Sequence, residues 1–271
     1  MPLYRPSELH AFLQHVGARP NKRLSQNFLI DGNVLDKIIQ HAGIQADSVV
    51  IEIGPGPGAL TERLLSTQAR VIAIEKDPVF AQALSRLDVD GRLTVVQADI
   101  LECDLQTFVS ERDFGRVQIV ANLPYHITTP IIQKLVSLQN LICSCTVMLQ
   151  HDVWHRFQKT ADFSSTYVQY YARPSFCFVV ARGAFYPRPA VDSAVIRLDL
   201  ERRWPVSDEA QFFALLQQAF SHKRKMVRAA LKAPGVDEAL TRIALAPHVR
   251  VEELTVQQWV ALWQALQILG L

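Results

Sequence analysis

A glycine-rich turn between an apolar run and a helical pattern constrains this chain more than any other feature. The run Val49–Ile53 is rich in β-branched residues, which is typical of a buried parallel strand. Glycines follow at alternate positions, Gly54, Gly56 and Gly58, and the next residues have helical composition. Glycine lets the backbone approach a nucleotide-like ligand because it has no Cβ to collide with it. The turn fits dinucleotides as well as other adenosine-containing ligands, and a tight turn without a ligand is the alternative interpretation.

Four further strand patterns repeat this alternation of strand and helix. They cover residues 70–74, 93–96, 117–120 and 142–149. Repeated βαβ units predict an α/β fold with a doubly wound parallel sheet, whose ligands lie at the carboxyl ends of the strands. The glycine turn, Glu75, Asp99 and residues 122–125 fall at four such ends. That coincidence is more specific than the glycine turn alone.

Helical patterns flank this core in the sequence. Ser7 is a candidate N-cap for a helix over 8–16, and Asp31 is one for a helix that ends at Gly43. After residue 205 the pattern predicts helices only, and the first of them runs over 207–232.

Two domains follow from these patterns. We predict a first domain over residues 1–200, with an N-terminal lid segment over 1–45. We predict a small all-helical domain over residues 201–271.

The charges are unevenly distributed along the chain. Residues 46–150 carry eight Lys/Arg against twelve Asp/Glu, whereas residues 182–250 carry twelve against seven. The stretch 222–232 has five Lys/Arg and no acid. We therefore predict that a basic helix contacts phosphate groups of a nucleic acid, although a solvated helix face is the common alternative. The predicted phosphate contacts are Lys223, Arg224, Lys225 and Arg228.

Several classes of protein are disfavoured by what the sequence lacks. We find no apolar run of membrane-spanning length and no apolar segment of a secretory signal near the first residue. None of the four cysteines forms a Cys-x-x-Cys pair. His151 and His155 have the spacing of a metal pair, but no third ligand is evident. We expect a cytoplasmic protein without a membrane partner or a metal.

Three polar groups at strand ends point to chemistry. Glu75 lies 21 positions after Gly54, where an acid accepts hydrogen bonds from ribose hydroxyls. Asp99 can accept one from an adenine amino group. The sequence Asn122-Leu-Pro-Tyr125 favours S-adenosylmethionine over a dinucleotide. The side-chain amide and a main-chain carbonyl there can accept hydrogen bonds from both N–H groups of an aromatic amine. That would aim the lone pair of the nitrogen at a methyl donor. A nicotinamide oxidoreductase, the alternative from another enzyme class, leaves these four residues unexplained.

With these motifs the chain resembles the KsgA (RsmA) family of S-adenosylmethionine-dependent rRNA adenine dimethyltransferases. The similarity covers nearly the whole chain. It includes the motifs Gln26-Asn-Phe-Leu29, Glu52-Ile-Gly-Pro-Gly56, Ile74-Glu75, Asp99, Asn122-Leu-Pro-Tyr125, Met148-Leu-Gln150, Phe185-x-Pro-x-Pro-x-Val-Asp-Ser193 and Ala219-Phe-x-x-Lys-Arg-Lys225. The resemblance implies a Rossmann-like methyltransferase sheet that binds S-adenosylmethionine. It also implies that Asn27, Leu29, Gly54, Glu75, Asp99 and Asn122 line the cofactor and reaction pocket, and we add Gly56 from the glycine turn.

The resemblance also implies the substrate. It is a pair of adjacent adenines in a terminal hairpin loop of 16S rRNA, each dimethylated on its 6-amino group within a pre-30S particle. We expect the adenine to stack on Tyr125, with Phe185 as a second contact, and its amine to bind Asn122 and the carbonyl of Leu123 or Pro124. The helical domain would dock the particle, and the enzyme would act as a monomer.

Two departures and two alternatives accompany this interpretation. Ser25 replaces an expected glycine, and Phe163-Ser164 stands where the family has Tyr-Gly. Within the class, the alternative is a 23S rRNA methyltransferase of the antibiotic-resistance type. Outside it, the alternative is a ribosome assembly factor without catalytic activity.

Overall fold

The computed structural model describes residues 3–21, 24–112, 114–159, 162–201 and 203–270. The chain forms two compact units. The first comprises residues 1–154 and 174–200, and the second comprises residues 155–173 and 201–271. The predicted first domain, 1–200, therefore includes a stretch, 155–173, that the structure groups with the C-terminal helices. What each unit does stays a prediction.

The first unit is built around a seven-stranded sheet. Its helices are α1 (Pro6–His15), α2 (Gly32–Ala42), α3 (Ala59–Ser66), α4 (Pro78–Leu84), α5 (Leu105–Ser110) and α6 (Thr128–Ser137), and α7 (His151–Phe157) begins at its end. The strands are β1 (Phe28–Leu29), β2 (Val49–Ile53), β3 (Arg70–Glu75), β4 (Leu93–Gln97), β5 (Val117–Asn122), β6 (Ile142–Gln150), β7 (Ala172–Val180), β8 (Phe185–Tyr186) and β9 (Ser193–Leu200). The five predicted core strands are confirmed.

The strand order is β4-β3-β2-β5-β6-β9-β7, and the pairs from β4 to β6 are parallel. β9 pairs antiparallel with β6. The order reverses between β2 and β5, which creates the crevice where doubly wound sheets bind ligands. Val50, Ile51, Val71 and Ile72 are fully buried, as expected of parallel strands covered on both faces. The predicted α/β class is confirmed.

A separate two-stranded ribbon joins the N-terminal segment to the region before β9. In it Phe28 pairs with Tyr186, and Leu29 pairs with Phe185. The ribbon is antiparallel, and both Leu29 and Phe185 contribute to the hydrophobic core of this unit.

The ends of the first two helices test the predicted caps. Asp31 caps α2, because its side chain accepts hydrogen bonds from the N–H groups of Asn33 and Val34. Gly43 ends that helix in the left-handed conformation. The cap predicted at Ser7 is wrong, since α1 begins two residues earlier than predicted, with Pro6 as its first residue and Arg5 at the cap. Proline is favoured there because the first helical N–H has no partner in the helix.

The second unit is helical. It contains α8 (Phe163–Tyr171), α9 (Glu209–Phe220), α10 (Val227–Leu231), α11 (Val236–Arg242) and α12 (Val256–Ile268). A capping box at Thr255 begins α12, whose apolar residues Trp259, Leu262, Trp263 and Leu266 are buried, whereas Leu269 after the helix is only partly buried. In the part of the chain that the structure describes, no helix has the length and apolar character needed to cross a membrane.

The single helix predicted over 207–232 is wrong. The chain leaves helical geometry between α9 and α10, so Lys223, Arg224 and Lys225 lie in a turn. The carbonyls of these residues accept hydrogen bonds from the Glu252 N–H, the Arg250 guanidinium and the Val251 N–H, respectively. Those donors replace the N–H groups four residues further along that a helix would supply. We call residues 221–226 the basic turn.

Candidate functional site

A cavity of about 200 Å³ lies at the carboxyl ends of β2, β3, β4 and β5. Every residue predicted to bind the cofactor or to act in catalysis lines it. These are Asn27, Leu29, Gly54, Gly56, Glu75, Asp99, Asn122, Leu123, Pro124 and Tyr125. The sheet thus brings together residues that are almost 100 positions apart in the sequence.

The glycine turn after β2 requires its glycines for two reasons. Gly54, Gly56 and Gly58 all have positive φ angles, of 67°, 54° and 95°, which side chains rarely adopt. In addition, a Cβ at Gly58 would lie 2.8 Å from atoms of Leu84 and Leu87, so a side chain there would clash with the helix behind the turn. Residues 54–57 of the turn line the cavity, and Gly54 and Gly56 place no side chain in it.

Glu75 ties the glycine turn to the end of β3. Its Oε2 accepts a hydrogen bond from the Gly56 N–H at 2.9 Å, and its Oε1 accepts one from the Asp77 N–H at 2.8 Å. The side chain is buried, and this burial raises the pKa of Glu75. A carboxylate in this position retains lone pairs for the hydroxyl groups of a ribose.

Asp99 follows β4 and is paired with Lys76. The Lys76 Nζ lies 2.6 Å from Asp99 Oδ2, and the Leu101 N–H donates to Oδ1 at 2.9 Å. The hydrogen bond from Lys76 lowers the pKa of Asp99. Asp99 is therefore an ionised carboxylate that only accepts hydrogen bonds, as recognition of an amino group requires.

Asn122 ends β5 with its amide held in one orientation. Its Nδ2 donates to the main-chain oxygen of Asn27 at 3.0 Å. This contact directs the Nδ2 of the side chain toward the N-terminal segment and leaves Oδ1 on the other branch of the amide.

The two residues after Asn122 have different main-chain environments. The carbonyl of Pro124 accepts hydrogen bonds from the Ile127 N–H at 3.2 Å and the Thr128 hydroxyl at 3.0 Å. Leu123 is buried, and its N–H donates to the Met148 carbonyl at 3.0 Å. Because a carbonyl has two lone pairs, Pro124 has little capacity for a substrate.

Tyr125 forms the next part of the cavity wall. Its hydroxyl lies 2.8 Å from the Oγ of Ser193 in β9. Partial burial raises the pKa of Tyr125, and the contact with Ser193 holds its hydroxyl in place. The ring is only partly buried, which leaves apolar surface for stacking.

Glu52 is a cavity residue to which sequence reasoning assigned no role. It is 1% exposed and lines the cavity from within β2. Among the described residues, its Oε2 has no hydrogen-bond partner. Burial, together with the charge of Glu75, raises the pKa of Glu52 to about 8. The signal in the sequence was an acidic residue within an otherwise apolar strand. Burying a carboxyl group is costly in free energy when it has no hydrogen-bond partner.

The residues predicted to contact RNA do not line this cavity. Phe185 is 3% exposed and packs in the core, because its pairing with Leu29 turns it away from solvent. In this conformation it offers no exposed face to a base. Lys223, Arg224, Lys225 and Arg228 belong to the second unit and are all exposed.

Metal-ligating residues do not cluster among the residues that the structure describes. No group of three or more His, Cys, Asp or Glu side chains there has the arrangement of a metal site.

The family model described as ribosomal RNA adenine dimethylase matches residues 17–267. The chain belongs to this family. It is an rRNA adenine dimethyltransferase, and its methyl donor is S-adenosylmethionine. The nicotinamide alternative is thereby excluded.

Individual relatives agree with membership of the ribosomal RNA adenine dimethylase family. The chain is 40% identical to the ribosomal RNA small subunit methyltransferase A of Protochlamydia amoebophila, over 98% of each chain. It is 37% identical to the protein of the same name from Chlamydia felis, over 97% of this chain and 95% of the relative.

Two solved structures share the fold. A dimethyladenosine transferase from Plasmodium falciparum aligns with a TM-score of 0.75 and 24% identity, over 90% of this chain and 98% of the other. The 23S rRNA methyltransferase ErmE aligns with a TM-score of 0.71 and 25% identity, over 89% and 100%. The predicted Rossmann-like methyltransferase fold is confirmed.

The cavity of this family member fits S-adenosylmethionine in its chemistry. The cofactor presents ribose hydroxyls, an adenine amino group and an ammonium group, which are all hydrogen-bond donors. The cavity offers three carboxyl groups, those of Glu52, Glu75 and Asp99. At Gly54 and Gly56 the glycine turn adds backbone without a Cβ, which permits close approach.

Proposed function

We propose that this chain dimethylates the 6-amino groups of two adjacent adenines in a terminal hairpin loop of 16S rRNA. The observation that carries the proposal is the fixed amide of Asn122 at the strand end beside the cofactor cavity. The names of the 40% and 37% identical relatives support a small-subunit target.

The residues that would hold the cofactor follow from their chemistry. Glu75 would accept the ribose hydroxyls, and Asp99 would accept the adenine amino group. Glu52, whose Oε2 lacks a partner among the described residues, is suited to the ammonium group. When bound, S-adenosylmethionine supplies an electrophilic methyl group on a sulfonium centre.

Asn122 and Leu123 would prepare the target amine. The lone pair of an aromatic amine is delocalised into the ring, which makes the nitrogen a poor nucleophile. Hydrogen bonds from its two N–H groups to the Asn122 Oδ1 and the Leu123 carbonyl would localise that pair on the nitrogen. Of the two carbonyls predicted for this role, Leu123 is favoured, because Pro124 already accepts two hydrogen bonds. Tyr125 would stack on the base.

The basic turn would contact the phosphates of the RNA. Its three cations are exposed, while its backbone is fixed by residues 250–252. We propose that the second unit binds the pre-30S particle in this way. We also propose that the enzyme acts as a monomer in the cytoplasm.

A 23S rRNA target is the second candidate. The fold similarity to ErmE favours it, since 25% identity extends over nearly the whole chain. The higher identity to small-subunit enzymes favours the first candidate.

One experiment tests both candidates. Undermethylated small subunits and large subunits would be incubated separately with the enzyme and S-adenosylmethionine labelled in its methyl group, and the modified adenines would be mapped. We expect two adjacent N6,N6-dimethyladenines in 16S rRNA. Label in 23S rRNA alone would overturn the proposal, and binding of particles without transfer would favour a non-catalytic assembly factor.

A further inference from the structure

The N-terminal segment and the loop after β5 are joined by a continuous chain of hydrogen bonds. The Ser25 Oγ lies 2.8 Å from the His126 Nδ1. The Asn27 Nδ2 donates to the Ser25 carbonyl at 3.0 Å. The Asn122 Nδ2 donates to the Asn27 carbonyl at 3.0 Å. With the backbone from 122 to 126 these contacts close a ring.

The ring includes the side-chain amide of Asn122, on which the proposed reaction depends. An asparagine amide can rotate by half a turn about its last side-chain bond, which exchanges the oxygen with the NH₂ group. In the exchanged orientation it would present N–H donors to the amine of the substrate, which also donates. The Asn27 carbonyl opposes that exchange because it binds the Nδ2 alone.

Ser25 occupies a position where its backbone favours glycine. Its φ angle is 51°, in the left-handed region. The glycine that the resemblance implies at this position would suit this conformation. A glycine would adopt the conformation without strain but would lack the hydroxyl group that contacts His126.

We propose that Ser25 and His126 are positioning residues for methyl transfer. They hold the Asn27 carbonyl against Asn122, and the carbonyl fixes the amide that receives the target amine. The proposal rests on the proposed role of Asn122. It gives a role to His126, an exposed residue that lines the cavity directly after the Asn-Leu-Pro-Tyr motif and is not among the residues assigned to the cofactor.

Three variants test the pair. S25G removes the hydroxyl and relieves the backbone, H126A removes the imidazole, and H126N keeps an amide nitrogen near the position of Nδ1. We expect S25G and H126A each to lower the rate of methyl transfer about 3- to 10-fold at saturating cofactor and particles, the effect of one hydrogen bond. We expect H126N to restore most of that loss.

The readouts separate positioning from structure. The dissociation constant for S-adenosylmethionine, measured by calorimetry, should change less than about twofold in all three variants. Ser25 and His126 line the cavity, but neither is among the residues assigned to the cofactor. The double variant S25G/H126A should be no slower than the slower single variant, because both remove the same contact. A wild-type rate in H126A, additive losses, or equal losses of rate and cofactor affinity would each overturn the proposal.

Failure of this inference is distinguishable from failure of the proposed function. N122A is assayed on the same particles. If N122A transfers methyl groups at the wild-type rate, the proposed role of Asn122 is wrong. If N122A is inactive while S25G and H126A have wild-type rates, only the positioning role is wrong.

Discussion

The strand-end residues Glu75, Asp99 and Asn122, which we call the cavity edge, differ from the basic turn in which atoms the fold holds in place. At the cavity edge, side chains are held by specific partners, as Glu75 is by two N–H groups and Asn122 is by a carbonyl. In the basic turn, hydrogen bonds fix the backbone, while the Lys223, Arg224 and Lys225 side chains are exposed. The first region therefore places hydrogen-bonding atoms at defined positions, whereas the second presents positively charged side chains to solvent. Substitutions should therefore have steep effects in the first region and graded, salt-dependent effects in the second.

The largest effect is expected for N122A. Loss of the amide oxygen should lower methyl transfer at least about 100-fold, the scale for removal of one group that stabilises the transition state. Cofactor affinity should change little by calorimetry. N122Q is the matched control, because it keeps the amide but displaces it, and it should also be slow. An active N122Q would show that the geometry at the cavity edge is less strict than we infer.

A smaller effect is expected for E75Q. The substitution removes a charge-assisted acceptor from the ribose and from the Gly56 N–H. We expect S-adenosylmethionine to bind about 10- to 100-fold more weakly, since hydrogen bonds to a charged group are worth about 1.5–3 kcal/mol. The control is E102Q, which removes an exposed carboxylate outside the cavity. Equal affinities of the two variants would contradict the role of Glu75.

The raised pKa of Glu52 predicts that the stability of the protein depends on pH. Its pKa is about 8 in the folded protein and 4.5 as the ordinary value. Between these values the unfolded chain loses the proton while the folded protein keeps it, so the free energy of unfolding falls as pH rises and levels off above pH 8. E52Q should remove the part of this decline that Glu52 causes, which for a shift from 4.5 to about 8 is on the order of 5 kcal/mol; the raised pKa of Glu75 leaves a smaller decline of the same sign.

Chemical denaturation of the cofactor-free protein between pH 5 and pH 9 measures this effect. E102Q is again the matched control and should retain the decline. A wild-type pH profile in E52Q would show that Glu52 is ionised in the folded protein.

The smallest effect per residue is expected in the basic turn. Neutralising Lys223, Arg224 or Lys225 with Gln should each weaken RNA binding about three- to fivefold near 0.15 M salt. Each change should reduce the slope of log affinity against log salt by about 0.7–0.9. R242Q is the control, because Arg242 is exposed on α11 outside the turn. An unchanged slope in the three variants would make the turn a solvated surface.

The sequence predicted the cavity edge well because its signals are local. Each strand end carries its polar residue directly after an apolar run, and parallel strands place these ends at one edge of the sheet. The start of α2 at Asp31 and its end at Gly43 were also predicted, because both signals belong to one helix. The predicted cavity residues therefore all line one cavity, whereas their individual roles stay predictions.

The errors arise where distant segments decide local structure. The stretch 221–226 has a helical pattern, but residues 250–252 bind its carbonyls, so the helix is interrupted. Phe185 is buried because it pairs with Leu29, which lies 156 positions earlier. Neither partner is visible in a window of the sequence. The acidic residue Glu52 could be noticed in the sequence, but the burial of its Oε2 without a hydrogen-bond partner among the described residues depends on the packing around β2.

The ribbon of β1 and β8 has a consequence for the timing of folding. Residues 28–29 leave the ribosome early, but the strand they pair with, residues 185–186, is made only after most of the sheet. Contacts between such distant segments form late, because a long loop must close first. A nascent chain can thus assemble the glycine turn and the first parallel strands while one wall of the cavity, which Asn27 and Leu29 provide, is still open. We therefore expect the wall of the cavity that Asn27 and Leu29 provide to close only after residues 185–186 have been made.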